Sequence, residues 1–169
     1  MNAGAYGAEL AQYVSGAVCI AFDPARGYFL KDYLPEDMRL GYRKSVFQEN
    51  GEIIVSASFR LEKGDRTASF AKIDELNKKR RDSQPLTLPS AGSAFKRPAS
   101  GYAAELIEKA GLKGYKVGGA AVSAKHAGFI VNEGNACAGD VEELMRVIIE
   151  RVYEFSGVTL EPEIKVIGG

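Results

Sequence analysis

The stretch that decides the fold class is Val14-Ser15-Gly16-Ala17-Val18-Cys19-Ile20-Ala21-Phe22-Asp23-Pro24-Ala25-Arg26-Gly27-Tyr28-Phe29-Leu30-Lys31. Its first half, up to Phe22, is apolar and rich in residues that favour strands. The segment from Asp23 to Gly27 contains aspartate, proline and glycine, which favour turns. The stretch therefore predicts a β-hairpin rather than the regular alternation of strand and helix that is typical of parallel sheets.

A second strand and a helix are predicted after the hairpin. Residues from Ile53 to Leu61 alternate between apolar and mostly polar side chains, so one face of this strand is expected in a core and the other in water. The segment from Thr67 to Arg81 carries apolar residues at helical spacing and predicts a helix. The pattern breaks at Asp82 to Pro85, and we expect a boundary between two lobes near Pro85.

The chain after Pro85 mixes helices and strands without a regular repeat. Ser100 is expected to cap a short helix that ends at Gly111. Asp140, with Glu143 three residues later, predicts the start of a longer helix that ends at Gly157. The residues of the longer helix expected to face inward are Val141, Leu144, Met145, Ile148, Val152 and Phe155. Three short strands are predicted, at Lys116 to Val122, Gly128 to Asn132 and Glu163 to Ile167. This order of elements predicts an α+β fold.

The composition is that of an ordinary globular protein without a global charge. The 169 residues are 46% hydrophobic and 26% charged, which is enough for a core, and 22 basic side chains balance 22 acidic ones. No overall field therefore attracts nucleic acid or an anionic membrane, and neither is predicted as a partner. No apolar run approaches the length of a membrane span. Cys19 and Cys137 lack metal-ligand spacing, and with no signal peptide they indicate a reducing cytoplasm and no metal site.

A candidate reaction site lies in the segment Pro89-Ser90-Ala91-Gly92-Ser93-Ala94-Phe95-Lys96-Arg97-Pro98, which is expected to be a loop. Ser93 follows Gly92, so its hydroxyl can be presented without a bulky preceding side chain. Lys96 and Arg97 lie close enough to attract an anion. A surface loop with a basic tip remains the alternative, because turn-forming residues cluster in any loop.

Several segments of the chain together resemble one protein family. The Ser93 segment resembles the Pro-Ser/Asn-Ala-Gly-Ser-x-Phe-x-x-Pro signature of the UDP-N-acetylenolpyruvoylglucosamine reductases, which are flavoenzymes of peptidoglycan synthesis. The other matching segments are Asn2-Ala3-Gly4-Ala5-Tyr6-Gly7, Gly41-Tyr42-Arg43-Lys44-Ser45-Val46-Phe47, Gly118-Gly119-Ala120-Ala121-Val122, Lys125-His126-Ala127-Gly128-Phe129-Ile130-Val131-Asn132 and Leu160-Glu161-Pro162-Glu163-Ile164-Lys165-Val166-Ile167-Gly168. The resemblance covers essentially the whole chain. It implies an α+β fold in which residues 1–85 are the C-terminal part of an FAD-binding lobe, residues 86–160 a substrate-binding domain and residues 161–169 a strand that returns to the first lobe.

The resemblance also implies an activity, the FAD-dependent reduction of UDP-N-acetylglucosamine enolpyruvate to UDP-N-acetylmuramate with NADPH. Such chemistry needs a proton donor, a group that stabilises the enolate and a site for the diphosphate. By resemblance, Ser93 is the proton donor, Arg43 polarises the substrate carboxylate and Glu163 shares in stabilising the enolate. The residues implied in cofactor binding are Asn2, Ala3, Gly4 and Tyr6, and those implied in substrate binding are Arg97, Lys125 and His126.

Each of these residues also has a plainer interpretation. Without its motif, Arg43 reads as a surface arginine, and Glu163 reads as a polar residue of an edge strand with Glu161 as a rival carboxylate. His126 is the only histidine, and a lone histidine is more often structural. The pair Gly118-Gly119 fits either a close approach to a ligand or a bulge in a strand.

Two departures from the family shape the expected behaviour of this chain. Family members carry a flavin-binding region upstream of the Asn2 segment, so we expect Met1 to correspond to an internal residue and the chain alone to bind FAD weakly and to be inactive. The chain also lacks an inserted loop with a substrate-gating tyrosine between Pro98 and Tyr102, as in the shorter class of the family. The alternative function is a non-catalytic fragment or pseudoenzyme that binds a UDP-sugar.

Overall fold

The structure, a computed structural model, describes residues 1–167. The chain divides into two compact units, Met1–Asp65 and Arg66–Gly169. The division falls before the predicted helix at Thr67 rather than at the sequence break near Pro85. One contact joins this helix to the rest of the second unit: the Lys125 ammonium donates a hydrogen bond to the carbonyl of Arg81 near the helix end. A domain boundary near Pro85 therefore stays a proposal.

The first unit contains five strands and one short helix. The strands are β1 (Gly4–Ala5), β2 (Ala8–Glu9), β3 (Val14–Asp23), β4 (Gly27–Tyr33) and β5 (Ile53–Phe59), and the helix is α1 (Phe47–Asn50). Strands β3 and β4 form the predicted hairpin, which is confirmed by antiparallel pairing from Ala17 with Tyr33 to Asp23 with Gly27. The Asp23 carboxylate accepts hydrogen bonds from the backbone of Ala25 (2.9 Å) and Arg26 (3.0 Å), which explains why the turn forms here.

Strand β5 was predicted correctly, but the burial of one of its faces was wrong. It pairs with β3 in the order β4-β3-β5, so it lies at the edge of the sheet. All seven of its residues are exposed, and Ile53 and Phe59 keep 64% and 50% of their surface accessible. The core of this unit is built instead from β3, the end of β4 and the segment after it, by Val14, Ala17, Cys19, Tyr33, Met38 and Val46.

The second unit combines three helices with an antiparallel sheet. The helices are α2 (Arg66–Ser83), α3 (Ala103–Lys109) and α4 (Ala138–Ser156), and the strands are β6 (Ser90–Ser93), β7 (Lys116–Val117), β8 (Ala120–Val122) and β9 (Phe129–Asn132). The strand order is β6-β9-β8-β7 with every pair antiparallel. Side chains of α3 and α4 pack with the sheet in one core, which includes Ile107, Val122, Leu144, Ile148 and Val152. Helices and antiparallel sheets together confirm the α+β class.

Three details of the second unit differ from the sequence predictions. Helix α3 begins after Tyr102 rather than after Ser100. The segment from Lys116 to Val122 is not one strand but the tight hairpin of β7 and β8, because its glycine pair turns the chain back. Phe155, expected to face inward, is 55% exposed, because the last turn of α4 extends beyond the buried cluster.

The strand predicted from Glu163 to Ile167 is also wrong for the residues described. These residues have no regular secondary structure, and the preceding Pro162 forms an isolated antiparallel bridge with Phe95. Proline lacks a backbone N–H, which limits how far a ladder can extend through it. The end of the predicted tail strand, Gly168 and Gly169, lies outside the described residues. Within residues 1–167, no helix combines the length and apolar character needed to cross a membrane.

Helix α4 begins earlier than predicted, and Asp140 has a different role there. Cys137 is the N-cap, and Asp140 is the third residue of the helix. The Asp140 carboxylate accepts hydrogen bonds from the backbone N–H of Cys137 (3.0 Å) and of Gly119 (3.3 Å). These bonds, that from Cys137 first, lower the pKa of Asp140 below its usual value, since they favour the charged form.

We expect Asp140→Ala to lower the thermal unfolding midpoint of the second unit at pH 7. Because the pKa of Asp140 is lower in the folded state, its contribution is fully present above the unfolded pKa of about 4 and is lost as the pH falls through the folded pKa. The difference between variant and parent should therefore shrink in acid, as measured by circular dichroism melts from pH 7 down to pH 2.5. Glu142→Ala, on the same helix, is the matched control. A difference that stays constant with pH would contradict this role.

Candidate functional site

Ser93 lies at the end of strand β6 and not in a loop as expected. It pairs with Phe129 of β9, and the register between Ser90 and Ser93 shifts as in a β-bulge. Ser93 is exposed to solvent, whereas the next two residues, Ala94 and Phe95, are buried. Bulges re-aim a side chain next to active sites. The sheet thus holds Ser93 in a fixed place at the surface of the second unit.

The structure brings the backbone of Glu163 beside the Ser93 strand. The N–H of Glu163 donates to the carbonyl of Ala94 (2.9 Å), and the N–H of Lys96 donates to the carbonyl of Glu161 (2.8 Å). Glu163 is therefore hydrogen-bonded through its backbone to the residue that follows Ser93, although Ser93 and Glu163 are distant in the sequence. The resemblance implies that they act together, and this joint role stays a prediction.

The rival carboxylate, Glu161, has a partner of its own. Its side chain forms an ion pair with Lys96, which also lies beside it through the backbone bond just described. The ammonium of Lys96 is thereby held next to the Ser93 strand, with its side chain only 28% exposed. The pairing gives Glu161 a local role in fixing Lys96.

Arg97 borders a cleft of about 440 Å³ in the second unit. Its guanidinium lies over the ring of Tyr102, 4.1 Å from the ring centre, which is a favourable cation–π distance. The cleft is also lined by Lys96, Ser100 and Thr159, with Glu161 at its edge. Two cations, two hydroxyl groups and a single carboxylate suit a site for a phosphate-like anion.

Lys125 and His126 belong to a turn that the structure uses internally. The hydroxyl of buried Ser123 accepts hydrogen bonds from the N–H groups of Lys125 (3.1 Å) and His126 (3.2 Å). The His126 Nδ1 accepts from the N–H of Gly128 (3.1 Å), and its ring packs edge-on against Phe129 at 5.0 Å. These contacts are those of a structural histidine, with Nε2 as the nitrogen left for a ligand. Sequence reasoning missed Ser123, whose position two residues before Lys125 is a common turn signal.

The glycine pair in the β7–β8 hairpin serves close packing. A Cβ atom on Gly119 would lie 2.3 Å from the carbonyl oxygen of Gly134 and 2.4 Å from the nitrogen of Ala136. A Cβ on Gly118 would meet the Asp140 carboxylate at 2.4 Å. The pair therefore lets the hairpin approach the 134–136 segment and the start of α4, a packing role that neither sequence interpretation included.

Gly119→Ala is expected to destabilise the second unit by about 2–3 kcal/mol, because backbone atoms on both sides would have to move. Urea unfolding followed by circular dichroism measures this change. Gly139→Ala is the matched control, since its added Cβ would meet only the Cys137 sulfur at an ordinary 3.7 Å within helix α4. The control should be neutral or slightly stabilising because alanine favours helix more than glycine does. Equal effects of both substitutions would contradict this explanation.

Arg43 occupies a strained position in the first unit. Gly41 and Lys44 exchange two backbone hydrogen bonds of 3.2 and 3.0 Å, so residues 41–44 form a tight turn. Arg43 is the third residue of this turn and has a φ of +55°, in a region that glycine or asparagine usually occupies. Its guanidinium lies 5.1 Å from the ring centre of Tyr42. Residues held in such conformations cluster at functional sites, which supports a functional role over that of a plain surface arginine.

The N-terminal segment forms one wall of a cleft that also contains Arg43. Strands β1 and β2 pair across a two-residue turn, in which Tyr6 and Gly7 both have positive φ, as in the usual turn of a tight hairpin. Ala3 holds the segment in place, since its carbonyl accepts from the N–H of Leu10 (2.9 Å). The cleft has a volume of about 270 Å³, and its lining residues are Gly4, Ala5, Gly7, Ala8, Glu9, Gln12, Tyr42 and Arg43.

Asn2 differs from the other residues implied in cofactor binding. It is only 3% exposed, and both polar atoms of its side chain are engaged within the protein. Its Nδ2 donates to Glu9 (2.9 Å), and its Oδ1 accepts from the N–H of Ala11 (2.9 Å). Its side chain therefore acts inside the first unit, whereas Gly4 lines the cleft directly.

The chain and this arrangement match a known class, the α+β reductases that act on a nucleotide sugar. The family model described as UDP-N-acetylenolpyruvoylglucosamine reductase, C-terminal domain, matches residues 84–167. The UDP-N-acetylenolpyruvoylglucosamine reductases of Streptococcus thermophilus strain LMD-9 and of Syntrophomonas wolfei are 47% and 46% identical to it over 168 residues, 99% of this chain and 54% and 55% of theirs. The crystal structure of the Thermus caldophilus enzyme of that name superposes with a TM-score of 0.79 at 35% identity, covering 98% of this chain and 57% of that one.

The chain belongs to the UDP-N-acetylenolpyruvoylglucosamine reductase family, as its motifs indicated. It spans about half the length of the curated relatives it matches. Arg43 belongs to the first unit, and Ser93 and Glu163 belong to the second. The convergence of all three on one substrate is therefore a proposal.

Proposed function

We propose that this chain supplies the substrate-binding and proton-transfer part of an enzyme that reduces UDP-N-acetylenolpyruvoylglucosamine to UDP-N-acetylmuramate, with FAD and NADPH, in cytoplasmic peptidoglycan precursor synthesis. The observation that carries the proposal is the backbone pairing of the Glu163 segment with the Ser93 strand. It brings together a hydroxyl residue and a carboxylate residue from opposite ends of the second unit. Identity of 47% with a relative that bears the reductase name adds support.

We assign part of a flavin to the cleft in the first unit. Its lining includes Gly4, Ala5, Gly7 and Ala8, whose small side chains would let a flat ring approach the backbone, together with Tyr42 and Arg43. A volume of about 270 Å³ lies at the low end for ligand sites, which run from roughly 300 to 1,000 Å³. We therefore assign this cleft only one part of FAD and assign the rest to the portion of the relatives that this chain does not match. When bound, the flavin supplies the hydride for the enolpyruvyl double bond.

Two residues of this chain handle the negative charge that the reduction creates on the substrate. Arg43 presents two parallel donors that suit the enolpyruvyl carboxylate, and a guanidinium stays charged throughout. As an anion, Glu163 would repel that charge directly. In this proposal it is either protonated in the complex or orients Arg43 or a water molecule.

Ser93 delivers the proton to the carbon that becomes carbanion-like. A serine hydroxyl is a weak acid, so it needs a nearby positive group to stabilise the alkoxide it leaves. Lys96 suits that role, because its ammonium pairs with Glu161 and its side chain is only 28% exposed. Arg97, at the adjoining cleft, and Lys125 are proposed to bind the substrate diphosphate, and the Nε2 of His126 is proposed to assist.

The proposal is tested by supplying the portion that this chain does not match. We would fuse the unmatched part of the Streptococcus thermophilus relative ahead of Met1 and follow NADPH absorbance. The fusion is expected to bind flavin and to oxidise NADPH in proportion to added UDP-N-acetylenolpyruvoylglucosamine, whereas the chain alone should do neither.

The same experiment separates the second candidate function, a non-catalytic module that binds a UDP-sugar. The cationic cleft beside Arg97 favours such binding even without redox chemistry. If the fusion binds flavin and calorimetry shows that it binds the UDP-sugar, but it never reduces that substrate, the binding-module function replaces the reductase.

A further inference from the structure

The buried amide of Asn2 joins three parts of the first unit. Its two side-chain hydrogen bonds reach Glu9 in strand β2 and the backbone of Ala11. Its own backbone forms a parallel bridge with Tyr42, the residue before Arg43. The N-terminal segment and the tight turn at residues 41–44 therefore meet at Asn2.

Glu9, the partner of Asn2, is itself tightly held. Its N–H donates to the side chain of Gln12 (2.9 Å), and its carboxylate caps the short helical turn that follows. Gly4 packs against it so closely that a Cβ there would lie 2.9 Å from Glu9 Cγ. Because the Glu9 carboxylate is held in place, the hydrogen bond that it accepts from Asn2 Nδ2 restrains the Asn2 amide as well.

The turn that meets Asn2 needs such support. A left-handed conformation costs a residue with a side chain roughly 1–2 kcal/mol, and Arg43 adopts it at +55°. Strained backbone persists only where the surroundings hold it in place. The bridge from Asn2 to Tyr42 provides a neighbour for the backbone immediately before the strained residue.

We propose that Asn2 is a positioning residue for Arg43: its amide, locked between Glu9 and Ala11, holds the backbone beside Tyr42 so that the turn presents the guanidinium to the cleft. In this proposal Asn2 acts through the turn, because its Nδ2 donates to Glu9 and its Oδ1 accepts from Ala11. The value of this to catalysis rests on the proposed function of Arg43, but the conformational claim stands on this chain alone.

The test uses the isolated chain and the pair formed by Asn2 and Glu9. Asn2→Asp replaces the donor that faces Glu9 with a carboxylate, so two like charges meet, and the hydrogen bond is lost at pH 8. Asn2→Asp combined with Glu9→Gln exchanges donor and acceptor and restores a complementary pair. Nuclear magnetic resonance reports the result through the strong amide-to-Hα cross-peak within Arg43, a signature of positive φ, and through exchange of the Lys44 amide.

We expect Asn2→Asp at pH 8 to weaken the Arg43 cross-peak and to speed Lys44 amide exchange. The exchange rate should rise by about tenfold or more, because one charge-assisted hydrogen bond is lost. The double variant should restore both signals. Lowering the pH should also restore them in the single variant, because a proton shared by two facing carboxyl groups binds with a raised pKa. Asn50→Asp, which removes a donor to Tyr33 elsewhere in the unit, is the control and should leave Arg43 unchanged.

A purely structural role for Asn2 gives a different result. The amides of Glu9 and Ala11 would then change in Asn2→Asp while the signals of Arg43 and Lys44 stay at their parent values, and the proposal would be overturned. Failure of the double variant to rescue Arg43 would overturn it as well. Neither result bears on whether the fused enzyme reduces its substrate, so this inference and the proposed function fail separately.

Discussion

Ser93→Ala is expected to lower substrate reduction by the fused enzyme by about 10²–10⁴-fold, the usual contribution of a positioned general acid. Reduction of the flavin by NADPH should continue at the parent rate, because that half-reaction needs no proton from Ser93. Rapid-mixing measurements separate the two half-reactions by the absorbance of the flavin. The expected signature is a flavin that is reduced normally and reoxidised slowly by substrate.

Ser90→Ala is the matched control for Ser93→Ala. Ser90 lies at the other end of strand β6, is exposed as Ser93 is, and pairs with Val131 of the same neighbouring strand. Removing its hydroxyl tests whether any loss of a hydroxyl from this strand impairs the enzyme. Equal loss of both half-reactions in Ser93→Ala, or equal loss in the two variants, would mean that Ser93 has a structural role only.

Arg43→Gly should lower activity without lowering stability. Glycine relieves the left-handed strain at this position, so we expect the free energy of unfolding to stay level or to rise by up to about 1 kcal/mol. Loss of the guanidinium should lower kcat of the fused enzyme by about 10²–10³-fold, as for removal of one group that stabilises an oxyanion. Urea unfolding of the chain and steady-state kinetics of the fusion measure the two effects.

Arg39→Gly provides a close control for the same change. Arg39 also has a positive φ, +47°, in the first unit, and its guanidinium forms an exposed ion pair with Glu49. Exposed pairs of this kind contribute little to stability, so the substitution relieves strain without removing a group assigned to the chemistry. Wild-type kinetics in Arg43→Gly, or a loss of kcat in Arg39→Gly as large as that in Arg43→Gly, would contradict the assigned role.

The sequence predicted elements well where a local pattern and the tertiary structure agree. The β3–β4 hairpin follows from an apolar run and a turn with aspartate, proline and glycine, and the turn geometry observed at Asp23 uses the residues that made it predictable. The same holds for α4, whose apolar spacing and cap signals are local. Helix α2 forms where its apolar spacing predicts it, but none of its residues is buried. The predicted start of α4 was wrong because Asp140 is the third residue of the helix and Cys137 is its N-cap.

Errors arose where packing between distant segments decides the outcome. Alternation in β5 predicted a buried face, but whether a face is buried depends on what lies against it, and periodicity does not carry that information. The glycine pair 118–119 looked like a bulge or a ligand approach until the 134–136 segment was seen against it. The assignment of Asn2 to a cofactor by family resemblance stays a prediction, and the internal hydrogen bonds of its amide could not be predicted because their partners, Glu9 and Ala11, are brought to it by the fold.

The candidate site shows the same division. Ser93, Arg43 and Glu163 were chosen by their match to the family motifs, and their roles stay predictions. The ion pair between Glu161 and Lys96 could not be predicted, because it depends on how the segment around Pro162 meets the residues that follow β6. The strain at Arg43 could not be anticipated either, since arginine is an uncommon residue at a positive φ.

The open edge of β5 has a practical consequence for handling the protein. A strand whose outer hydrogen-bonding groups have no neighbouring strand, and which carries accessible isoleucine, valine and phenylalanine side chains, is a template for joining a second chain. At high concentration, copies of the purified polypeptide would compete for that edge with any complementing fragment added later. Co-translation as one fused chain reduces the competition, because the added portion is then present at a high effective concentration before another molecule arrives.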